Sequence, residues 1–381
     1  MKKNRILRKL AVPVFITVCG CNHVQDPASI SSLKEALKGE FVFGVALNTA
    51  QLLGRDTAAL KIVEHHFNSV VGENCMKSEI IQPEEGKFDF SLSDKLVDYA
   101  KQHGMTVIGH ALIWHSQAPA WFFTDDRGNT VSREVLIGRM KSHINTLVSR
   151  YKGRVDGWDA VNEAIEDDGS WRQSPFYQII GKDYVRLAFQ FAREADPDAG
   201  LYYNDYSMAN PGRRAGVVRM VKELQDQGIR VDGIGMQCHV TMDYPTLDEY
   251  EKSILAFAAL DVPVMITEMD ITVLPFPGDN AGADVSLRLE SDPAWNPYAG
   301  GLPDSVAVAL HDRYAGFFAL FLKHQDKINR VTIWGVTDGQ SWRNYWPIHG
   351  RTDYPLLFDR NYQPKPIVQT IINLATATKN E

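Results

Sequence analysis

Residues 200–239 read GLYYNDYSMANPGRRAGVVRMVKELQDQGIRVDGIGMQCH. The apolar run Gly200 to Asp205 is followed by Arg213 to Gln227, where apolar side chains recur at helical spacing, and then by a second apolar run, Asp232 to His239. Short apolar runs suit strands buried on both faces, and parallel strands of that kind need a helix to carry the chain back. The stretch therefore predicts strand, helix, strand. Polar residues collect where each strand ends, Asn204 and Asp205 on one and Gln237 and His239 on the other.

The same unit repeats outward in both directions. Further strands are predicted at Phe41 to Leu47, Ser69 to Glu73, Met105 to Ala111, Val155 to Asn162, Pro263 to Asp270 and Arg330 to Val336. Amphipathic helices fall at Leu92 to Gln102, Glu134 to Tyr151, Tyr184 to Glu194, Leu247 to Leu260 and Ser305 to Lys323, and Thr246-Leu-Asp-Glu249 has the form of a capping box. Eight alternations fit an α/β fold of the (β/α)8 or TIM-barrel type. A doubly wound sheet is the alternative, but no Gly-x-Gly-x-x-Gly follows the first strand and no Gly-Lys-Ser/Thr phosphate loop occurs. The longest interruption, Thr272 to Pro303, follows the seventh strand, which in a barrel puts it on the active-site face. No linker divides the chain, so residues 29–381 are expected to form one catalytic domain.

The chain has 381 residues, 44% hydrophobic and 23% charged, with 28 Gly and 18 Pro, which excludes wholesale disorder and collagen-like repetition. Its 8 Trp and 14 Tyr offer flat amphipathic surface suited to stacking on sugars or bases. Charge argues against nucleic acid. The first twenty residues carry five cations and no acid, and removing five positive charges from a total of −7 leaves −12. A body that acidic repels phosphate backbones.

Residues 1–20 combine that basic segment with the apolar run Leu10 to Val18, too short to span a bilayer, and read as an export signal. Val18-Cys-Gly-Cys21 resembles the lipobox of bacterial lipoproteins, which implies lipidation of Cys21, an anchor in a membrane, and a polar tether over residues 21–28. An ordinary cleaved signal is the alternative. Either one exports the protein, facing the periplasm or the cell surface. Cys75 and Cys238 then remain, and both are expected to be buried free thiols. A monomer is expected.

If the fold is a barrel, the strand ends should carry the chemistry. They read Glu73-Asn-Cys-Met-Lys77, Gly109-His110-Ala-Leu-Ile-Trp114-His115, Trp158-Asp-Ala-Val-Asn162-Glu163, Asn204-Asp205, Gln237-Cys-His239 and Thr267-Glu268-Met-Asp270, with the eighth strand leading through Trp334 toward Trp342. Polar groups on apolar strands are costly when buried unpaired, so this many at one end argue for a site. Glu163 and Glu268 each close a hydrophobic strand, and a pair of carboxylates is what a retaining glycosidase needs, one as acid/base and one as nucleophile. Strand alternation puts Asp270 on the face of Glu268, where it would orient His239 against the nucleophile. His110, His115 and Asp205 match no zinc spacing, and no metal is expected. Glu64-His65-His66 is expected on a solvated or cap-like face, Trp158 in the core, and Trp334 and Trp342 against sugar.

Gly109-His110-Ala-Leu-Ile-Trp114-His115-Ser-Gln117, Trp158-Asp-Ala-Val-Asn162-Glu163 and Ile266-Thr-Glu268-Met-Asp270 resemble the signature strands of glycoside hydrolase family 10, the endo-β-1,4-xylanases. Gly350 to Asp359 resembles the family's closing segment, and the likeness runs from Phe41 to about Leu374. The resemblance implies xylan and xylo-oligosaccharides as substrates, no cofactor, Glu163 as acid/base, Glu268 as nucleophile and Asn162 at the sugar 2-hydroxyl. It also implies glycone subsites built from Glu73, Asn74, Lys77, His110, Trp114 and Gln117. Gln237 and His239 would then stand beside the nucleophile, and Trp334 and Trp342 would wall the cleaved ring. Cys75 and Ser78 depart from the family's usual acid and bulkier residue, which bears on the outer subsites. No carbohydrate-binding module interrupts or follows the barrel, so such a function is expected to come from other chains. Two other readings share these features: a β-glucan hydrolase of the same fold, and an anchored glycan binder without turnover. Intact Glu163 and Glu268 argue against the second.

Overall fold

The computed structural model describes residues 32–276 and 285–379. The predicted export segment, the predicted tether and Cys21 lie outside these residues, as does part of the long loop after the seventh strand.

Eight parallel strands form the barrel: β1 Val42–Leu47, β2 Ser69–Gly72, β3 Thr106–Gly109, β4 Gly157–Asn162, β5 Gly200–Asp205, β6 Gly233–Met236, β7 Val264–Thr272 and β8 Ile328–Ile333. Each pairs with the next in sequence order, and β8 returns to β1 with Val42 opposite Arg330 and Gly44 opposite Thr332, so the sheet has no open edge. Two short extensions lie beyond the strand ends. Ile113–Trp114 pairs with β4, and His239–Thr241 pairs with β7, placing His239 opposite Asp270.

Helices Ser91–Gln102, Arg133–Arg150, Asp183–Ala195, Pro211–Asp226, Leu247–Ala258 and Asp304–Lys323 agree with the periodicity to within a few residues. The strands hold because both faces are apolar and covered. All six residues of β4 and all nine of β7 are buried, for example. Trp158 is in the core, 1% exposed, as expected. Its neighbour across the ladder must be glycine, since a Cβ on Gly109 would stand 2.0 Å from Trp158 Cε3.

Three details depart from the sequence reading. Helices Thr57–His66 and Pro366–Thr378 complete the outer ring but were not delimited by the apolar pattern. His66 is buried, unlike its exposed neighbours Glu64 and His65. Burial holds its pKa down at about 4, and its neutral Nδ1 accepts the Leu33 N–H at 3.4 Å, capping the helix Leu33–Ala36. The capping box at Thr246 is half formed. Thr246 Oγ1 accepts the Glu249 N–H at 3.2 Å, but Glu249 turns to Lys252 and Arg214 instead of returning to the Thr246 amide.

The described parts of the loop between β7 and β8 pack on the loop that follows β8. The Leu289 N–H donates to Pro347 O at 2.9 Å, the Thr352 N–H donates to Asn296 Oδ1 at 2.8 Å, and the Phe276 and Trp346 rings lie 5.8 Å apart. Cys75 and Cys238 are free and buried.

Candidate active site

The strand ends bring Glu163 and Glu268 to one chamber floor. Both are buried, at 5% and 4% exposure. Glu163 follows the last residue of β4 and adopts φ +60°, a left-handed conformation that a non-glycine residue holds only when its surroundings fix it. Its carbonyl accepts from Arg172 Nε at 2.8 Å, and the next amide, Ala164 N–H, donates to the Tyr203 hydroxyl at 2.9 Å.

Side-chain amides link the two carboxyls. Glu163 Oε1 accepts from Gln237 Nε2 at 3.0 Å and from Asn162 Nδ2 at 3.2 Å. Asn204 Nδ2 donates to Asn162 Oδ1 at 2.9 Å and to Glu268 Oε1 at 2.7 Å, while Thr267 Oγ1 donates to Asn204 Oδ1 at 2.6 Å. Asn162 and Asn204 are direct partners in the β4–β5 ladder, so backbone register places this bridge. Asn204 is the residue the sequence reading left unassigned. The signal was present, a polar residue ending an apolar strand, but nothing in the sequence says which side chain it would face.

The carboxyls are driven apart electrostatically. Burial pushes the Glu163 pKa up and the Asp205 charge pushes it further, against smaller opposing effects of Gln237 and Arg172. Its Oε2 is buried without a hydrogen-bond partner among the described residues. The Trp114 indole N–H faces the same carboxyl without forming an aligned hydrogen bond. Burial acts on Glu268 in the same direction but is outweighed by His110, His239 and Lys77, which hold its pKa below the usual value.

His239 stands between two acids. Its Nε2 lies 3.2 Å from Glu268 Oε2 and its Nδ1 3.0 Å from Asp270 Oδ2. Burial alone would lower the His239 pKa, but these carboxylates raise it to about 9. Asp270, which burial would raise, is held down at about 2 by Arg343 and His239. Arg343 Nη2 is 2.7 Å from Asp270 Oδ1, and the Trp342 indole donates to Asp270 Oδ2 at 2.7 Å. At neutral pH Glu268 thus faces an imidazolium backed by a second carboxylate.

The residues expected to hold the glycone form a connected wall. Lys77 Nζ donates to Asn74 Oδ1 and Gln117 Oε1, both at 3.0 Å, and sits 4.8 Å from the Trp114 ring centroid. Burial lowers the Lys77 pKa, opposed by Glu268, Glu73 and Glu163, and burial raises that of Glu73. His110 Nδ1 lies 2.8 Å from Asp159 Oδ2 and 3.9 Å from Glu268 Oε1, and its ring meets Trp334 edge-on at 5.3 Å. Trp334 is only 6% exposed and packs on Ala46, Val71 and Ile108, so most of its surface is core. Trp342 is half-buried and stacks on Trp346 at 5.1 Å. His110 and Asp205 are engaged apart from one another, with Asp159 and with Arg213. Among the described residues no group of three His, Cys, Asp or Glu is arranged to hold a metal ion.

Comparison with known proteins gives the same fold and family. The model of glycosyl hydrolase family 10 matches residues 32–374. The chain is 52% identical over 343 residues to endo-1,4-beta-xylanase A of Xylanibacter ruminicola, covering 90% of this chain and 93% of that one. It is 41% identical over 350 residues to the endo-1,4-beta-xylanase of Geobacillus stearothermophilus, covering 91% and 99%. Among solved structures, a GH10 endoxylanase retrieved from a sugarcane soil metagenome superposes with a TM-score of 0.86 at 44% identity, covering 90% of this chain and 99% of that one. With two buried, amide-bridged carboxyls at the mouth of a closed eight-stranded barrel and a family match across nearly all of its length, the chain belongs to glycosyl hydrolase family 10.

Proposed function

We propose that this glycoside hydrolase is a retaining endo-1,4-β-xylanase acting on internal bonds of xylan through a covalent glycosyl-enzyme. The observation that carries the mechanism is the opposite displacement of two carboxyls joined by Asn162, Gln237 and Asn204. An acid held protonated beside one held ionised is the division of labour that double displacement requires. Glu163 gives its proton to the leaving glycosidic oxygen while Glu268 attacks the anomeric carbon, and Glu163 then takes a proton from the water that opens the intermediate. The substrate reading draws support from the relatives named endo-1,4-β-xylanase and from the wall of Asn74, Lys77, Trp114 and Gln117.

Reducing-sugar release tests the substrate, with xylan beside carboxymethyl cellulose. Xylan should be cleaved far faster, and equal rates would support the β-glucan reading instead. Proton NMR of the earliest product tests the mechanism, since a retaining enzyme releases the β-anomer before mutarotation, and an initial α-anomer would overturn it.

We also place the protein outside the cytoplasm, tethered by lipid at Cys21, on the strength of residues 1–28. Membrane fractionation checks this. Wild type should sediment with membranes and Cys21→Ser should be released or remain unprocessed.

A further inference from the structure

Beneath Glu163 lies a buried ion pair that the reaction scheme above does not use. Asp205 ends β5 and Arg213 lies in the first turns of the helix Pro211–Asp226, and both side chains have no solvent exposure. Arg213 Nη1 is 2.5 Å from Asp205 Oδ1. Its Nε and Nη2 lie 3.0 and 2.8 Å from Asp167 Oδ1, and its guanidinium carbon sits 3.9 Å above the Tyr206 ring. The second oxygen of Asp205 accepts from the Tyr203 hydroxyl, and that hydroxyl accepts the amide following Glu163. The Tyr206 hydroxyl in turn accepts from Arg172 Nη2 at 2.9 Å, and Arg172 holds the Glu163 carbonyl. Both ends of the peptide unit that follows Glu163 are therefore fastened to groups that converge on one buried carboxylate.

A buried pair of this kind is a weak source of stability, because desolvation offsets most of its attraction. Its geometry points to another use. We propose that Asp205, paired with Arg213, is a positioning residue for Glu163: through Tyr203 it fixes the left-handed turn that aims the carboxyl, and it places a buried acidic group behind that turn. This rests on the assignment of Glu163 as the acid. The other charged or titratable groups around Glu163 include Arg172 from its own loop, Tyr206 following β5, Lys77 from the loop after β2 and Glu268 across the Asn162–Asn204 bridge, together with the dipoles of Gln237 and Trp114. After burial itself, the Asp205 charge is the largest influence raising the Glu163 proton affinity. Burial moves the Asp205 pKa upward too, and Arg213, with the Tyr203 hydroxyl, opposes that rise. Without the guanidinium that carboxyl would take up a proton and lose its effect.

The test is the pH profile of kcat/KM on xylo-oligosaccharides, whose alkaline limb reports loss of the acid's proton. Asp205→Asn should move that limb to lower pH by about one unit. Arg213→Gln should move it in the same direction, and adding Asp205→Asn to it should change little, since the negative charge of Asp205 is already lost once the guanidinium is gone. Tyr203→Phe keeps the volume and removes only a hydroxyl, so it probes the positioning half in a protein that differs least from wild type. It should lower kcat/KM on xylan by about tenfold while leaving activated aryl xylosides, which need no acid, nearly unchanged. Glu163→Gln is the control. If it abolishes the alkaline limb but none of the Asp205 and Arg213 variants moves it, or if Tyr203→Phe reduces both substrates equally, the proposal is overturned and the acid assignment stands. If the limb survives in Glu163→Gln, the acid assignment falls and the proposal with it.

Discussion

Glu268→Ala is expected to abolish turnover of every substrate, natural or activated, with kcat falling on the order of 10⁶-fold, the scale seen when a covalent catalyst loses its nucleophile. The size follows from the site. Asp270, the acid across His239 from Glu268, is held by Arg343, Trp342 and His239 and is not free to take its place. Added azide should not restore a product of retained configuration, because the first displacement no longer has an enzymic partner. Any glycosyl azide formed would be inverted. The measurement is chromatographic and NMR analysis of products from an aryl xyloside, with melting curves showing a folded variant. Retained product at appreciable rate would remove Glu268 from the nucleophile role.

Glu163→Ala should fail differently. With xylan, where the leaving oxygen needs a proton, kcat/KM should drop by about 10² to 10⁴, the range of general acid catalysis. With aryl xylosides bearing good leaving groups the first step should proceed, and the intermediate should accumulate because no base activates water. Both kcat and KM then fall together. Azide needs no base, so it should raise kcat and yield the β-xylosyl azide. Equal and complete loss with both substrate types would reverse or dissolve the assignment of roles.

The barrel was legible because its strands are buried on both sides and carry unbroken apolar runs, and closure rather than loop content dictates that pattern. The runs also marked where chemistry collects, since Asn162, Glu163, Gln237, His239 and Glu268 interrupt an apolar background. Less visible were groups whose role depends on what stands opposite. Asn204 is ordinary as a strand terminus and becomes a bridge only through its register with Asn162. Arg213 starts the helical periodicity with nothing in the sequence to mark it for the interior, yet it is fully buried, where Asp205 and Asp167 meet it. His66 was hidden in the same way. Helix Thr57–His66 places it against the Leu33 amide, a partner far away in sequence. The half-formed capping box shows the converse, a local motif overruled when Arg214 and Lys252 compete for the Glu249 side chain.

The closed ladder also decides when, during synthesis and folding, this molecule first becomes an enzyme. Glu163 follows β4 and Glu268 lies in β7, so the two carboxyls belong to opposite halves of the chain. The Arg343 and Trp342 side chains that secure Asp270 come later still, after β8 has paired with β1 across nearly the whole sequence. A nascent or nicked half-barrel would hold one carboxyl or the other with part of its electrostatic surroundings missing, Glu163 without Asp205 and Gln237, or Glu268 without His110 and Lys77. Catalysis is thus an all-or-none reporter of ring closure, and the emerging polypeptide stays inert toward glycans until its last strand is seated.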